Sequence, residues 1–286
     1  FDKSTDITIG TKIEDNSFTG TNLQPSVRAT RRLDDDRTVW AAASQAVNTP
    51  SFGDMYVVLL GSPDTTSVPG TTVVPRFIAG ERADDTKMAS YEVGYRDRVN
   101  GRFSYDLTAF YHDYDDVASF SGTSVEHVPG PISTLLYFDT YMDNSTAAYG
   151  YGAELIADLA VNAQWRTEFN ASFIHNRAAG ETNPDTPEWK VNLRQWIQAT
   201  PRLELVPSLH WVDRTLVIAP LTGADTTIDS YLRLDLAANY LLAGGTRVSL
   251  VGQNLLERSH EEFFSELVRP LSPITRAWTI RLARDF

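Results

Sequence analysis

The chain has 286 residues, which is long enough for one large all-β domain or two ordinary domains. It carries 25 Lys and Arg against 37 Asp and Glu, and the formal net charge of -12 argues against a nucleic-acid partner, whose phosphates would repel it. The sequence contains no cysteine, which excludes disulfides, thiolate metal sites and a cysteine nucleophile. No window approaches the roughly 18 consecutive apolar residues of a membrane helix, although strands of a membrane β-barrel escape this test.

Apolar and polar residues alternate along most of the chain, and this period of two predicts β-strands. In "SYEVGYRDRV", for example, Tyr91, Val93 and Tyr95 share one face, and their polar neighbours lie on the other. The pattern predicts an all-β chain of about 12 antiparallel strands. In chain order they cover residues 5–14, 23–32, 37–47, 87–98, 102–115, 146–160, 164–177, 189–198, 202–212, 229–241, 246–255 and 274–286.

Short and long connections alternate between these predicted strands. The short ones contain turn residues and lie at 33–36, 99–101, 161–164, 199–202 and 242–245. The long ones cover 49–86, 117–145, 179–187, 213–228 and 257–272, and we expect an extra hairpin around "STLLYFDTYM". Compact soluble domains rarely contain many loops longer than about 12–15 residues. The alternation instead indicates part of an antiparallel transmembrane β-barrel with short periplasmic turns and long extracellular loops.

The last predicted strand ends the sequence with apolar side chains at alternate positions. Trp278, Ile280, Leu282 and Phe286 share one face, which we expect to lie against lipid with the terminal aromatic ring at the membrane interface. Outer-membrane proteins generally end this way, because the barrel-assembly machinery reads that strand. These four residues are therefore the predicted assembly signal. Arg284 departs from the pattern, at a small cost near the interface.

Four stretches of the sequence resemble a known protein family in more than their alternation of apolar and polar residues. They are "LQPSVRATRRLDDDRTVWAAASQAVNTPS" (23–51), "ASYEVGYRDRVNGRFSYDLTAFYHDYDDV" (89–117), "YGYGAELIADLAVNAQWRTEFNASF" (149–173) and "LVGQNLLERSHEEF" (250–263). In this order they resemble the C-terminal half of the barrel of a TonB-dependent receptor, an active transporter of the bacterial outer membrane. The resemblance spans nearly the whole chain.

The resemblance implies a 22-strand barrel, of which this chain supplies about 12 strands. Residues 1–286 would be the C-terminal part of the barrel domain, as a fragment or the product of a split gene, with the plug domain and the N-terminal barrel strands missing. It also implies active uptake of a scarce nutrient such as a ferric siderophore. The implied partners are outer-membrane lipid, the missing plug and strands, TonB through the missing N-terminal region, the barrel-assembly machinery and a small nutrient ligand. No cofactor is implied.

Candidate binding residues fall into two groups. The inward face of the predicted strands is charged, and we expect Arg28, Glu92, Arg96, Glu154, Arg194, Arg233 and Arg281 to face the lumen or a plug. A solvated lumen whose charges merely balance would give the same pattern. In the long loops, we expect ligand binding by Tyr56, Phe120, His127, Tyr137 and Phe138. Packing within the loops explains these aromatic residues equally well.

The sequence gives no support for an enzyme. The five histidines are dispersed and no Gly-rich phosphate loop is present, so we predict neither a catalytic residue nor a metal site. Two other functions remain open at this point. One is a passive porin-like channel that needs no TonB. The other is a soluble carbohydrate-binding β-protein, which would require an apolar core instead of a lipid-facing strand face.

Overall fold

A computed structural model describes residues 4–61, 63–67, 69–79, 83–130, 134–179, 181–182, 186–217, 226–262 and 273–284. These residues form strands and one short helix. In chain order the elements are β1 (Thr5–Asn16), β2 (Gly20–Arg32), β3 (Arg37–Asn48), α1 (Phe52–Tyr56), β4 (Val58–Leu60), β5 (Thr71–Ile78), β6 (Thr86–Asn100), β7 (Phe103–Val128), β8 (Thr134–Asn162), β9 (Trp165–Ala178), β10 (Glu181–Thr182), β11 (Trp189–Thr200), β12 (Leu203–Val212), β13 (Thr215–Val217), β14 (Thr226–Ile228), β15 (Tyr231–Leu241), β16 (Thr246–Gln253), β17 (Ser259–Glu261), β18 (Pro273–Thr275) and β19 (Ala277–Arg284).

The main sheet is a continuous antiparallel path of strands in the order β1-β2-β3-β6-β7-β8-β9-β11-β12-β15-β16-β19. This path confirms the predicted antiparallel architecture and contains each of the strands expected from the alternation. Among the described residues, β1 and β19 each pair with one neighbour and do not pair with each other. The sheet is therefore open, with two unpaired edges.

The two faces of the main sheet differ in polarity, because side chains alternate along a strand and cross-strand partners share a face. The apolar face carries rows such as Tyr91, Tyr111 and Tyr151, paired across β6, β7 and β8. Its side chains are open to the surroundings, with Ile9 80% and Ile280 72% exposed. The buried hydrophobic residues among those described are only Val74, Phe77, Ala83 and Ile228. The sheet thus lacks the apolar core that a soluble sandwich would require.

The connections divide the main sheet into two ends. At one end, which we call the turn end, the strands are joined by residues 33–36, 101–102, 163–164, 201–202 and 242–245. At the other, the loop end, the connections are 17–19, 49–85, 129–133, 179–188, 213–230 and 254–276. Short connections at the turn end alternate with longer ones at the loop end, as predicted, except that 17–19 and 129–133 are short connections at the loop end.

The prediction for residues 117–145 was wrong in detail. They do not form a loop with a separate hairpin, because β7 and β8 continue as one long pair from the sheet out to Val128 and Thr134. The register shifts at three places, between Tyr114 and Val117, Val117 and Ser119, and Ser121 and Thr123. These bulges interrupt the alternation of apolar and polar residues. The alternating pattern therefore stops at the bulges, although the strand continues past them.

The connection 49–85 also contains structure that the sequence did not predict. Helix α1 begins after Ser51, whose hydroxyl accepts a hydrogen bond from the Asp54 amide. Strand β5 then lies parallel to β8, and β4 pairs with β5. We call β4, β5 and the outer segments of β7 and β8 (117–128 and 134–145) the loop-end leaf. No helix within the described residues is long and apolar enough to cross a membrane.

Candidate functional site: the polar face and the loop-end leaf

The polar face of the main sheet gathers the charged residues that the sequence assigned to the inward side. The strand register places all of them on one face: Arg28, Glu92, Arg96, Asp106, Glu154, Asp158, Glu168, Lys190, Arg194, Glu204, Arg233, Asp235 and Arg281. Some of them form ion pairs with a residue of a neighbouring strand. The Arg96 Nε donates to Asp106 Oδ2 at 2.8 Å, and the Arg166 Nε donates to Asp158 Oδ1 at 2.8 Å.

The seven predicted lumen-facing residues share this face but do not converge on one point. Arg96 pairs with Asp106, and Arg194 donates to the Ser208 hydroxyl at 3.2 Å. Glu92 accepts a hydrogen bond from the neighbouring Ser90 at 3.3 Å. The seven are spread over β2, β6, β8, β11, β15 and β19, so they line a wall instead of forming one pocket.

Arg28 belongs to a stacked group at the β2 side of the wall. Its guanidinium lies 4.1 Å from the centre of the Trp40 ring. The Trp40 indole in turn lies over Gly94 of β6, where an added Cβ would collide with the indole. Gly94 is the glycine of the "YEVGY" stretch, and a glycine at this position makes room for the Trp40 indole.

The most connected polar group lies on β15. Arg233 donates to Asp235 at 2.7 Å and to Glu262 at 3.4 Å, and His260 lies 2.8 Å from Glu262. Asp235 also accepts from the backbone amide of Asn254 at 2.9 Å. This network fastens the chain that leaves β16 to the polar face.

Asn254 and Arg276 hold the base of the last loop-end connection. Asn254 is fully buried, with a positive φ of 53°, and its side chain donates to the Ile274 carbonyl at 3.0 Å. Arg276 donates to the carbonyl oxygens of Asn254, Leu255 and Glu257 at 2.9–3.3 Å. The "QNLLE" stretch therefore holds the two ends of this connection together, a role that the sequence analysis did not identify.

Arg76 anchors the loop-end leaf. Its guanidinium binds both carboxylate oxygens of Asp139 at 2.6 and 2.7 Å and reaches Glu126 at 2.5 Å. It also lies 4.2 Å from the centre of the Tyr137 ring. Hydrogen bonding to Arg76 holds the pKa of Asp139, which is 4% exposed, below its ordinary value, and the hydrogen bonds to Asp139 raise the pKa of Arg76. One arginine thus joins β5, β7 and β8.

A second junction ties the start of β6 to the neighbouring hairpin. The Asn144 side chain donates to the carbonyl oxygens of Asp84 at 2.8 Å and Asp116 at 2.6 Å, and it accepts from the Asp84 amide at 2.8 Å. Lys87 pairs with Asp116 at 2.9 Å. Neither Arg76 nor Asn144 was a candidate from the sequence, because their partners are up to 63 residues away.

The structure separates the predicted ligand-binding residues. Tyr56 lies in α1, 4.9 Å from Phe52 and 6.4 Å from Phe18 between ring centroids. Tyr137 lies on the face of the leaf that carries Arg76. The exposed residues His127 and Phe138 lie on the opposite face of the leaf, and Phe120 lies in β7. The leaf thus brings together His127 and Phe138, and it does not bring Tyr56 or Tyr137 to them.

The predicted assembly residues share the apolar face of β19. Trp278, Ile280 and Leu282 are 60%, 72% and 70% exposed. Phe286 lies outside the described residues.

Most aromatic residues on the apolar face lie near one of two levels of the sheet, and Phe169 lies between them. The level near the loop end holds Tyr91, Tyr111, Tyr151, Trp189, Trp211 and Trp278, and the level near the turn end holds Tyr95, Tyr105, Trp165 and Tyr240. Membrane β-barrels carry two such girdles around an apolar band. Within the described residues, no group of three or more His, Asp or Glu side chains could hold a metal ion.

Comparisons with known proteins identify relatives of this fold. A family model described as "TonB dependent receptor-like, beta-barrel" matches residues 1–255. A variant (G324V) of the ferric enterobactin receptor PfeA from Pseudomonas aeruginosa is similar with a TM-score of 0.76 and 16% identity, covering 99% of this chain and 43% of that one. The siderophore receptor PirA from Acinetobacter baumannii is similar with a TM-score of 0.74 and 16% identity, covering 99% and 44%.

The siderophore receptor PirA from Pseudomonas aeruginosa gives a TM-score of 0.66 and 19% identity, covering 98% of this chain and 45% of that one. At these identities the likeness shows a shared fold alone. The chain spans less than half the length of these receptors. No curated protein matches the sequence.

Proposed function

The chain belongs to the β-barrel family of TonB-dependent receptors, and from this we propose that it is part of a bacterial outer-membrane receptor that takes up a scarce nutrient, such as a ferric siderophore, with energy supplied through TonB. The observation that carries the proposal is the family match over residues 1–255 together with an open antiparallel sheet of the same fold as solved siderophore receptors. The family consists of transport receptors and not of enzymes.

The two faces of the sheet support a place in the outer membrane. The apolar face, with aromatic residues at two levels, fits a lipid bilayer whose hydrocarbon lies between the two interfaces. The polar face then lines the lumen, where charged side chains remain hydrated or pair with other polypeptide. In this arrangement the loop end is extracellular and the turn end is periplasmic.

The two open edges of the sheet indicate that this chain needs partner strands. Unpaired backbone groups cannot face hydrocarbon, so we infer that β1 and β19 pair with further barrel strands to close a barrel of 22 strands. Those strands and a plug domain would come from polypeptide outside this sequence. That polypeptide would also contain the segment that contacts TonB. Arg28, Glu92, Arg96, Glu154, Arg194, Arg233 and Arg281 would face the plug. Trp278, Ile280, Leu282 and Phe286 would be read by the barrel-assembly machinery.

The loop-end leaf supports a ligand site at the extracellular mouth. Its residues His127 and Phe138 are exposed on one side of the leaf, and Phe120, Tyr137 and Tyr56 lie in the same group of connections. The fold is shared with receptors described as binding siderophores, among them a PfeA variant solved with enterobactin. A ferric siderophore is therefore the nutrient we propose first.

The test is uptake of radioactive iron by cells that produce the complete receptor. Supplied with ferric enterobactin, cells with an intact TonB system should accumulate iron. Cells that lack TonB, or cells treated with a protonophore, should accumulate at most a few per cent of that amount. Uptake that continues without TonB and without a proton gradient would contradict active transport and would support the passive channel.

A further inference from the structure

We propose that an aromatic cluster at the loop end is a docking surface for a further segment of the receptor polypeptide. The segment is the apolar part of the loop-end connection that leads into the strand paired with β1. The inference rests on the proposed function, because it assumes a barrel that further strands close. The cluster consists of Phe18, in the connection between β1 and β2, and of Phe52 and Tyr56 in α1. We call it the aromatic cap.

The three rings of the cap contact one another but remain exposed. The ring centroids of Phe52 and Tyr56 are 4.9 Å apart, and those of Tyr56 and Phe18 are 6.4 Å apart. Phe52, Tyr56 and Phe18 are 68%, 57% and 40% exposed. Single exposed apolar side chains are common on proteins, whereas a contiguous group of them marks a surface that interacts with another group.

Helix α1 is fixed at its start but buries none of its own residues. The Ser51 amide donates to the Asp54 carboxylate at 2.7 Å, and the Asp54 amide donates to the Ser51 hydroxyl at 3.3 Å. The four-residue spacing places Phe52 and Tyr56 on one face of the helix, and no residue of α1 is buried. A helix of this length is unstable by itself and depends on packing against other structure. The cap therefore lacks the cover that its helix requires.

Lipid does not supply this cover, because the apolar face of the sheet ends before the cap begins. The last apolar pair of the β1–β2 hairpin is Ile13 and Leu23. The next pair outward on that face is polar, and its Thr21 hydroxyl donates to the Asp15 carboxylate at 2.9 Å. Phe18 lies beyond this polar pair, at the tip of the hairpin. The cap is thus separated from the surface that fits a bilayer.

The topology of the sheet identifies the polypeptide beside the cap. Strand β1 runs toward the loop end, and within the described residues it pairs only with β2. A strand that pairs antiparallel with the open edge of β1 runs the opposite way, so the chain enters it from the loop end. The connection that leads into that strand therefore ends next to the β1–β2 tip. This chain spans less than half the length of the solved receptors that share its fold, which leaves ample polypeptide for such a connection.

Helix α1 reaches toward the same open edge. Strand β3, which precedes α1, lies between β2 and β6 in the sheet. The Tyr56 ring nevertheless contacts Phe18 at the tip of the outermost hairpin. A segment that arrives beside β1 would cover the ring at this tip and the two rings of α1 together. Aliphatic or aromatic side chains fit that surface, because the burial of apolar area against rings is favourable.

Photochemical cross-linking in the complete receptor tests this assignment. The variant Phe52→p-benzoylphenylalanine keeps an aromatic side chain at the most exposed position of the cap. Illumination of the purified receptor in detergent, without ligand, should join position 52 to the connection that leads into the strand paired with β1. Mass spectrometry of the peptides locates the bond. Val125→p-benzoylphenylalanine carries the same group at an exposed position of the loop-end leaf, and it should give no cross-link to that connection.

Other products of the reaction would overturn the proposal. They are a cross-link only to outer-membrane lipid, to added nutrient or to a second receptor molecule, and the absence of any cross-link in receptor whose heat-dependent gel mobility shows a folded barrel. Hydrogen exchange in the unsubstituted receptor is a second test, which needs no variant. The Met55 and Val57 amides, which donate to Ser51 and Gly53, should exchange at least about tenfold more slowly than in an unstructured peptide. Exchange at the unstructured rate would also overturn the proposal.

Failure of the interface and failure of the proposed function are distinguishable, because neither measurement depends on transport. Iron uptake that continues without TonB would overturn the proposed function and leave the interface at the cap standing. A folded receptor that takes up iron through TonB but leaves the cap uncovered would overturn the interface alone.

Discussion

Gly94 of β6 lies directly opposite Trp40 of β3, and the Trp40 indole occupies the space that a side chain at position 94 would take. Gly101, in the next turn, has nothing within 4 Å of an added Cβ. The two glycines thus have different reasons to be present. Gly94 permits a close approach of an aromatic ring, which supplies the contact that glycine itself cannot make. The stacked Arg28 depends on the position of that ring.

A matched pair of substitutions tests this reading. Gly94→Ala should destabilise the folded complete receptor by about 1–3 kcal/mol, because the new methyl group forces the indole out of its place. Gly101→Ala should change the free energy of unfolding by no more than about 0.5 kcal/mol. Urea unfolding followed by tryptophan fluorescence measures both. Equal stability of the two variants would show that Trp40 is free to move aside.

Arg76 offers a second prediction at the scale of single residues. Arg76→Met leaves the buried Asp139 carboxylate without its cation, and removing one partner of a buried ion pair is strongly destabilising. The effect should be local, so hydrogen exchange of the β5 amides (71–78) should rise at least tenfold while that of β12 stays the same. Arg37→Met, which removes an exposed pair with Asp34, is the control and should have little effect.

The same ion pair predicts a response to pH. The pKa of Asp139 is lowered in the folded state, so the pair stabilises the leaf at pH values above the ordinary carboxyl pKa of about 3.9. That stabilisation is lost only as the pH falls through the lowered pKa. Protection of the β5 amides, corrected for the intrinsic exchange rate, should therefore be equal at pH 7 and pH 5. A loss of protection already at pH 5 would contradict the assignment.

At the scale of elements, the sequence predicts what alternation encodes and misses what depends on distant contacts. Each strand of the main sheet follows from a run of alternating residues, as in β6 and β19. The parallel pairing of β5 with β8 does not follow, because β5 contains Pro75 and lies in a connection rich in turn residues. The leaf is held by Arg76 and Asp139, which are 63 residues apart.

The β4–β5 part of the leaf can be removed with little disturbance of the sheet, since its two ends meet. The Ala79 amide donates to the Val57 carbonyl at 3.0 Å. Joining positions 57 and 79 through two glycines, together with Asp139→Asn to avoid an unpaired buried charge, should leave a folded barrel. We expect ferric enterobactin to bind the complete receptor at least tenfold more weakly after this excision. Unchanged affinity would remove β4 and β5 from the ligand site.

The last strand of the sequence allows a test of the predicted signal for barrel assembly. Phe286→Ser should lower the amount of receptor assembled in the outer membrane, because the terminal aromatic residue belongs to the predicted recognition signal. Asp285→Ser changes the adjacent residue of opposite parity and should have little effect. Quantitative immunoblotting of outer-membrane fractions compares them. The stability of barrel already assembled should be similar in both variants, and equal amounts of assembled protein would refute the signal.

At the scale of the whole molecule, the polarity of each face of the sheet indicates the kind of environment that the face meets. Ile280 and Arg281 are adjacent in β19, and they lie on the apolar and the polar face. The sequence alone predicted this division, because face polarity follows from parity. It did not predict which polar residues are free. Asp235, for example, accepts hydrogen bonds from both Arg233 and the Asn254 amide, and parity alone does not reveal these contacts.

Cysteine labelling of the complete receptor in liposomes tests the orientation, and this chain contributes no cysteine of its own. A lipid-phase reagent should modify a cysteine at position 280 (Ile280→Cys). A water-soluble thiol reagent should modify a cysteine at position 281 (Arg281→Cys) at least tenfold faster than one at position 280. Equal aqueous access at both positions would contradict a lipid-facing apolar face.

The bulges near the turn end have a consequence for how errors in folding are removed. The register shifts between Asp97 and Asn100, between Ala160 and Asn162, and between Gln198 and Thr200, each time beside a short turn. A slip by one residue in any of these hairpins would send its apolar side chains to the lumen and its charges into hydrocarbon. Arginine at the bilayer midplane costs about 2–4 kcal/mol. In the outer-membrane setting proposed above, the bilayer would therefore disfavour a hairpin whose turn has closed one residue out of place.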